Sequence, residues 1–212
     1  MRIIVVNKFF YCRAGAERYV FDLIDLLTKE GHEVIPFAMH HSENIRTPYE
    51  KYFVSFIDFE HPKGLWKKIH AFSRMVYSFD AKKKFRALVR DVKPDVVHIN
   101  NIYHHISPSI LHVCAQENIP VVQTVHDYKL ICPNYKLFAH GTVEESKSFF
   151  YIHDIFNRTT KNSFLGSLAT AIEMMIHRGL KMYERYVDAF IVPSLFAAQK
   201  LMGPSGFEPL TP

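Results

Sequence analysis

Ile3-Ile4-Val5-Val6 and His32-Glu33-Val34-Ile35-Pro36-Phe37-Ala38 are the two stretches on which the fold turns. The first is a short β-branched run, the kind of strand that a parallel sheet buries on both faces. Between the two, Val20, Leu23, Ile24 and Leu27 recur at helical spacing and define one apolar face. Gly31 stands just past that face, where a left-handed cap ends a helix. Strand, helix and strand in succession form a crossover, and such crossovers join parallel strands.

The alternation continues outward. Tyr52–Phe56 reads as a short strand, and Leu65–Val92 keeps helical apolar spacing until Pro94 stops it. Val96–Ile99 is a strand, Pro108 opens a helix through Cys114, and Pro120–Val125 is another strand. His126 to Thr160 has no period and reads as a long functional loop. Phe164 to Val187 follows one face of a long helix, Ala189–Val192 is the last strand, and Ser194 caps a helix from Leu195 to Met202. The class is α/β: one Rossmann-like domain over 1–202 with a mostly parallel, doubly wound sheet. The last ten residues, 203–212, hold two Gly and three Pro, which suits neither a helix nor a central strand. A disordered or non-native end is expected there.

At 212 residues and 48% hydrophobic, the chain is an ordinary globular protein of roughly one to one-and-a-half domains. That composition excludes a disordered or collagen-like chain. Cys12, Cys114 and Cys132 form no CxxC pair, so neither a disulfide framework nor a thiolate zinc site is expected. The run Ile3–Val6 is too short for the core of a signal peptide, and no stretch approaches the length of a spanning helix. A cytoplasmic location is expected.

No G-x-G-x-x-G follows the first strand, and Walker, HExxH and G-x-S-x-G motifs are absent from the sequence. Three other polar segments stand where doubly wound sheets place ligands. Arg13-Ala14-Gly15-Ala16-Glu17-Arg18 leads from the first strand into the first helix. Gly15 lets a ligand approach the backbone, the free N–H groups favour a phosphate, and Glu17 complements the dipole by about 0.3–1 kcal/mol. His98-Ile99-Asn100-Asn101-Ile102-Tyr103-His104-His105 ends the next strand, and Asn100, Asn101, Tyr103 and His104 are candidate acceptor-binding residues. Imidazoles and amides without a carboxylate or thiolate make a poor divalent site, so a lining for sugar hydroxyls is the better reading. His126-Asp127-Tyr128 ends the strand after that. His126 and Asp127 are the candidate catalytic pair, His126 because an imidazole can bind a sugar hydroxyl near neutral pH.

Taken in order, Val6–Phe10, Arg13–Tyr19, His98–Pro108, His126–Pro133 and Phe190–Ser194 resemble the N-terminal domain of the family-four retaining glycosyltransferases, over about 1–202. The resemblance implies the acceptor-side half of a GT-B enzyme. Such an enzyme moves a hexose from a UDP- or GDP-sugar to a glycan or lipid-linked acceptor, with retention and with no metal or other cofactor. His126 matches the family histidine that contacts the donor sugar. Family members carry Gly-Gly where this chain has Ala14-Gly15, and a positive φ at Ala14 would cost about 1 kcal/mol. The cysteine pattern that many relatives carry beyond Cys132 is replaced by Val143-Glu144-Glu145-Ser146-Lys147. The family's donor-binding domain has no counterpart in these residues, so they are expected to be inactive alone. The alternative is a binding module, a remnant, or one subunit of a split enzyme.

From Lys63 to Lys93 ten Lys or Arg stand against only Asp80 and Asp91, a local +8 that exceeds the +5 of the whole chain. Trp66, Ile69, Phe72, Met75 and Phe79 interleave with Lys67, Lys68, Arg74, Lys82, Lys83 and Lys84. That pattern fits a helix lying on an anionic membrane, so peripheral attachment to the inner face of the plasma membrane is expected and nucleic acid is not.

Overall fold

A computed structural model describes residues 1–59, 64–143 and 150–202, so the 203–212 tail lies outside the described residues. Two compact units emerge. The first is Met1–Thr124 with Tyr186–Ile191; the second takes the described residues of Val125–Arg185 and Val192–Pro212.

The first unit holds a parallel sheet built from β1 (Arg2–Val6), β2 (Glu33–Phe37), β3 (Val96–Ile99), β4 (Val121–Thr124) and β7 (Ala189–Ile191), in the order β2-β1-β3-β4-β7. Every pairing is parallel, with Ile3 opposite both Val34 and Val96. Helix α1 (Gly15–Lys29) covers one face, where Val20, Ile24 and Leu27 pack on Ile3, Val5, Val34 and Val96. On the other face α3 (Phe79–Val92) lays Phe85 edge-on against Phe37, with ring centroids 5.0 Å apart. Helices on both faces make the sheet doubly wound. Gly31 has φ +79°, and its N–H and that of His32 return to Thr28 and Leu27. This is the left-handed cap that closes α1.

Several expected elements differ. The long helix is broken into α2 (Leu65–Val76) and α3, because Tyr77 is extended and the Ser78 hydroxyl accepts from the Ala81 N–H to start a new helix. Tyr52–Phe56 is no strand: a 3-10 turn, Glu50–Tyr52, leads to a single bridge between Val54 and Met39. After β3, a 3-10 turn at Pro108–Ile110 runs into α4 (Leu111–Gln116).

The second unit contains a two-residue hairpin, β5 (Phe138–Ala139) with β6 (Thr142–Val143), and helices α5 (Ile152–Phe156), α6 (Phe164–Gly179) and α7 (Leu195–Leu201). Helix α6 ends before the expected Val187, since Lys181 has φ +48° and the Lys181 and Met182 N–H groups turn back to Arg178 and His177 instead of continuing the helical ladder. Ser194 caps α7 by accepting from the Ala197 N–H. Among the described residues no helix is long and apolar enough to cross a membrane.

Candidate active site

The chain leaves β1 toward β2 on one side, and β3 then returns to pair on the other side of β1. Strand order therefore reverses between β1 and β3, and doubly wound sheets bind ligands outside the carboxyl ends at that point. Two asparagines mark it. The Asn7 side chain donates to the Phe9 carbonyl at 2.8 Å and accepts from the Asn101 N–H at 3.2 Å. Asn100 is fully buried, and its backbone N–H meets the Val6 carbonyl at 2.9 Å. Its side chain reaches the same carbonyl at 3.4 Å. Asn100 thus ties two strand ends together, which leaves Asn101, Tyr103 and His104, all half-buried, as the more accessible of the expected acceptor residues.

Ala14 precedes α1 with φ −152° and ψ −170°, extended backbone that any residue adopts. The strain expected from replacing glycine is absent. Alanine has no acceptor for the helix N–H groups, so only half of a capping box is made: buried Glu17 accepts from the Ala14 N–H at 3.1 Å. A Cβ placed on Gly15 would meet nothing within 4 Å, so the first turn of α1 is open to a ligand.

Several residues join the site that sequence reasoning did not single out. His98 Nε2 and Thr124 Oγ1 lie 2.8 Å apart, and the Tyr19 hydroxyl is 3.2 Å from the same Oγ1. His105 is pushed down to about 3 by burial, and next by the nearby Lys8 charge. It stays neutral, with Nε2 3.1 Å from the Ile57 carbonyl. Gln123 is fully buried in β4, and neither end of its amide has a hydrogen-bond partner among the described residues. An unpartnered polar group in a strand interior was not legible from a β-branched run.

In the second unit His126 and Asp127 follow directly on β4 in the chain. Burial lowers the His126 pKa, which favours a neutral imidazole. Asp127 Oδ1 accepts from the Lys129 N–H at 2.9 Å, closing an Asx turn. Burial pushes the Asp127 carboxyl up to about 6, with the Lys129 N–H and charge pulling the other way. Below this turn Lys129 Nζ meets Glu173 Oε2 at 2.7 Å and the Pro133 carbonyl at 3.3 Å. Both side chains are at most 3% exposed. Among the described residues no three His, Cys, Asp or Glu side chains gather as a metal site.

In the first unit Asn7, Asn100 and Asn101 stand at the carboxyl ends of a five-stranded parallel sheet, and the profile of Glycosyltransferase Family 4 matches residues 13–210. The chain belongs to glycosyltransferase family 4. One relative is 31% identical over 164 residues, covering 70% of this chain and 42% of its own length. It is described as an uncharacterised 42.6 kDa protein in the cps region of Klebsiella pneumoniae. The family-four chain therefore spans less than half the length of the curated relative it matches.

The basic stretch of this family-four chain does not form one surface. Arg74 is buried: it pairs with Asp80 at 3.5 Å and donates to Ser55 Oγ at 2.9 Å, so it cannot face lipid. Lys84 donates to the Phe53 carbonyl and Lys82 to the Tyr77 hydroxyl. Met75 packs inward, whereas Trp66 is 83% and Phe79 76% exposed. Lys67, Lys68 and Lys83 face solvent, on two separate helices.

Proposed function

We propose that these residues form the acceptor-side half of a glycosyltransferase that moves a hexose from a UDP- or GDP-sugar to a glycan or lipid-linked acceptor. The observation that carries the reading is the Asn7–Asn101 pair at the strand-order reversal of a family-four sheet, and the open space at Gly15 supports it. The free N–H groups at the start of α1 suit a diphosphate, and the half-buried amide, phenol and imidazole after β3 suit sugar hydroxyls. His126 contacts the transferred sugar as a neutral hydrogen-bonding group, in keeping with its lowered pKa. Asp127 orients the turn that carries it. Transfer needs a donor-binding domain besides these residues. A relative encoded in a cps region is consistent with polysaccharide assembly.

A glycan and lipid-extract array probed with the purified chain tests this. An acceptor should be captured, and Gly15→Trp should weaken its capture at least about tenfold by filling the opening. Equal capture by Gly15→Trp would refute the site. Peripheral attachment rests on a separate observation, Trp66 exposed beside Lys67 and Lys68 on α2. Each base near an anionic surface contributes about 1 kcal/mol, sufficient for reversible binding.

A further inference from the structure

Tyr77, Lys82, His112 and Tyr186 gather on the α3–α4 side of the first unit and have no part in the site described above. Lys82 Nζ donates to the Tyr77 hydroxyl at 2.8 Å, and the same hydroxyl is 2.8 Å from His112 Nδ1. The His112 ring stands edge-on to Tyr186, with centroids 4.9 Å apart. Together with Ala115 and Gln116 these side chains line a hollow of about 470 Å³. Lys82 also lines an adjoining hollow of about 540 Å³, with Phe79, Lys83, Arg86 and Arg90. Arg90 is engaged by Glu117 at 3.6 Å and Arg86 donates to the neutral Gln116 amide at 2.6 Å. Among the described residues no carboxylate pairs with Lys82, Lys83 or Arg86.

Three adjacent cations without a counter-charge repel one another, and an anion seated among them relieves that repulsion. Guanidinium and ammonium groups side by side suit phosphate oxygens. The phenol and imidazole add uncharged hydrogen-bonding groups, and Phe79 offers an exposed apolar wall. We propose that these two hollows, one between α3 and α4 and one along the exposed face of α3, joined at Lys82, bind a phosphate ester, with Lys82, Lys83 and Arg86 on the phosphoryl oxygens and Tyr77 and His112 beside them. The ester reaches the site either as a lipid headgroup or as a free phosphorylated molecule. This binding is independent of glycosyl transfer.

The test follows the His112 ring resonances of the purified chain by NMR, in separate titrations with inorganic pyrophosphate and with phosphatidylglycerol vesicles. A saturable shift with pyrophosphate, weakened at least about tenfold in the Lys82→Ala/Arg86→Ala variant, supports the site and a free phosphate as sufficient ligand. A response to the vesicles alone, with the same loss, supports the site and the lipid source. Lys83→Glu, at an exposed position, should weaken binding without touching packing, and it keeps the test open if the double variant folds poorly. Lys67→Ala/Lys68→Ala on α2 should leave the His112 response unchanged. No His112 response to either ligand, or equal affinity in the Lys82, Arg86 and Lys83 variants, would overturn the proposal.

Discussion

Replacing Glu173 by alanine removes one half of an ion pair that is closed off from water. The two charges stand 2.7 Å apart with at most 3% of either side chain exposed. At an effective dielectric constant of about 20 their attraction is about 6 kcal/mol, and the cost of desolvating both ions is of similar size. The pair is therefore worth little against an apolar pair of equal volume. Breaking it is different, because Lys129 would keep its charge with the Pro133 carbonyl at 3.3 Å as its remaining hydrogen-bond partner among the described residues and the nearby Asp127 carboxyl as a weaker electrostatic one. The expected loss is about 3–5 kcal/mol for Glu173→Ala. In a chain of 212 residues each kcal/mol moves the melting temperature by about 2–4 °C, so a drop of about 6–20 °C is expected. The Lys129→Met/Glu173→Leu double variant should recover most of that drop. Far-UV circular dichroism melts of the wild type, Glu173→Ala and the double variant form the assay. A loss below about 1 kcal/mol in Glu173→Ala, or a double variant worse than the single, would refute the buried-pair reasoning.

Other outcomes follow from the same geometry. The folded Asp127 carboxyl sits near pH 6 against an ordinary 3.8, so the folded state binds the extra proton in between and stability falls as pH rises through that window. Asp127→Asn keeps the acceptor for the Lys129 N–H, so its melting temperature should lack that fall and exceed the wild type at pH 7. Arg74→Ala should cost about 2–4 kcal/mol in urea unfolding, because it strips Asp80 and Ser55 of a buried partner. Lys67→Ala/Lys68→Ala should change stability by less than about 0.5 kcal/mol while weakening co-sedimentation with anionic vesicles. Gly15→Ala meets no neighbour and should raise stability by as much as about 1 kcal/mol, with reduced acceptor capture.

The sheet was legible because β1, β3 and β4 are short β-branched runs between turn residues, and α1 because its apolar positions keep one period and end on Gly31. Those signals are local. The break between α2 and α3 was not legible, since Tyr77 and Ser78 sit inside an unbroken apolar period and only the Ser78 hydroxyl turning to the Ala81 N–H reveals a new helix. Arg74 looked like one base among ten because Asp80 meets it only across that break and Ser55 reaches it from the segment before α2. Ala14 looked like a strained substitution because backbone dihedrals are not written in residue type. The loop after β4 announced itself by His126 and Asp127, but its support came from Glu173, far along the chain and hidden in an apolar helical pattern. Long-range pairing of single charges leaves no periodic trace.

The most direct test is transfer of radiolabelled hexose from UDP- and GDP-sugars to a lipid and glycan extract by the purified 212-residue chain. No transfer above background is expected from these residues alone, with transfer appearing once a family-four donor-binding domain is supplied and falling again in Gly15→Trp. Transfer by the 212 residues without that domain would contradict the assignment of an acceptor-side half.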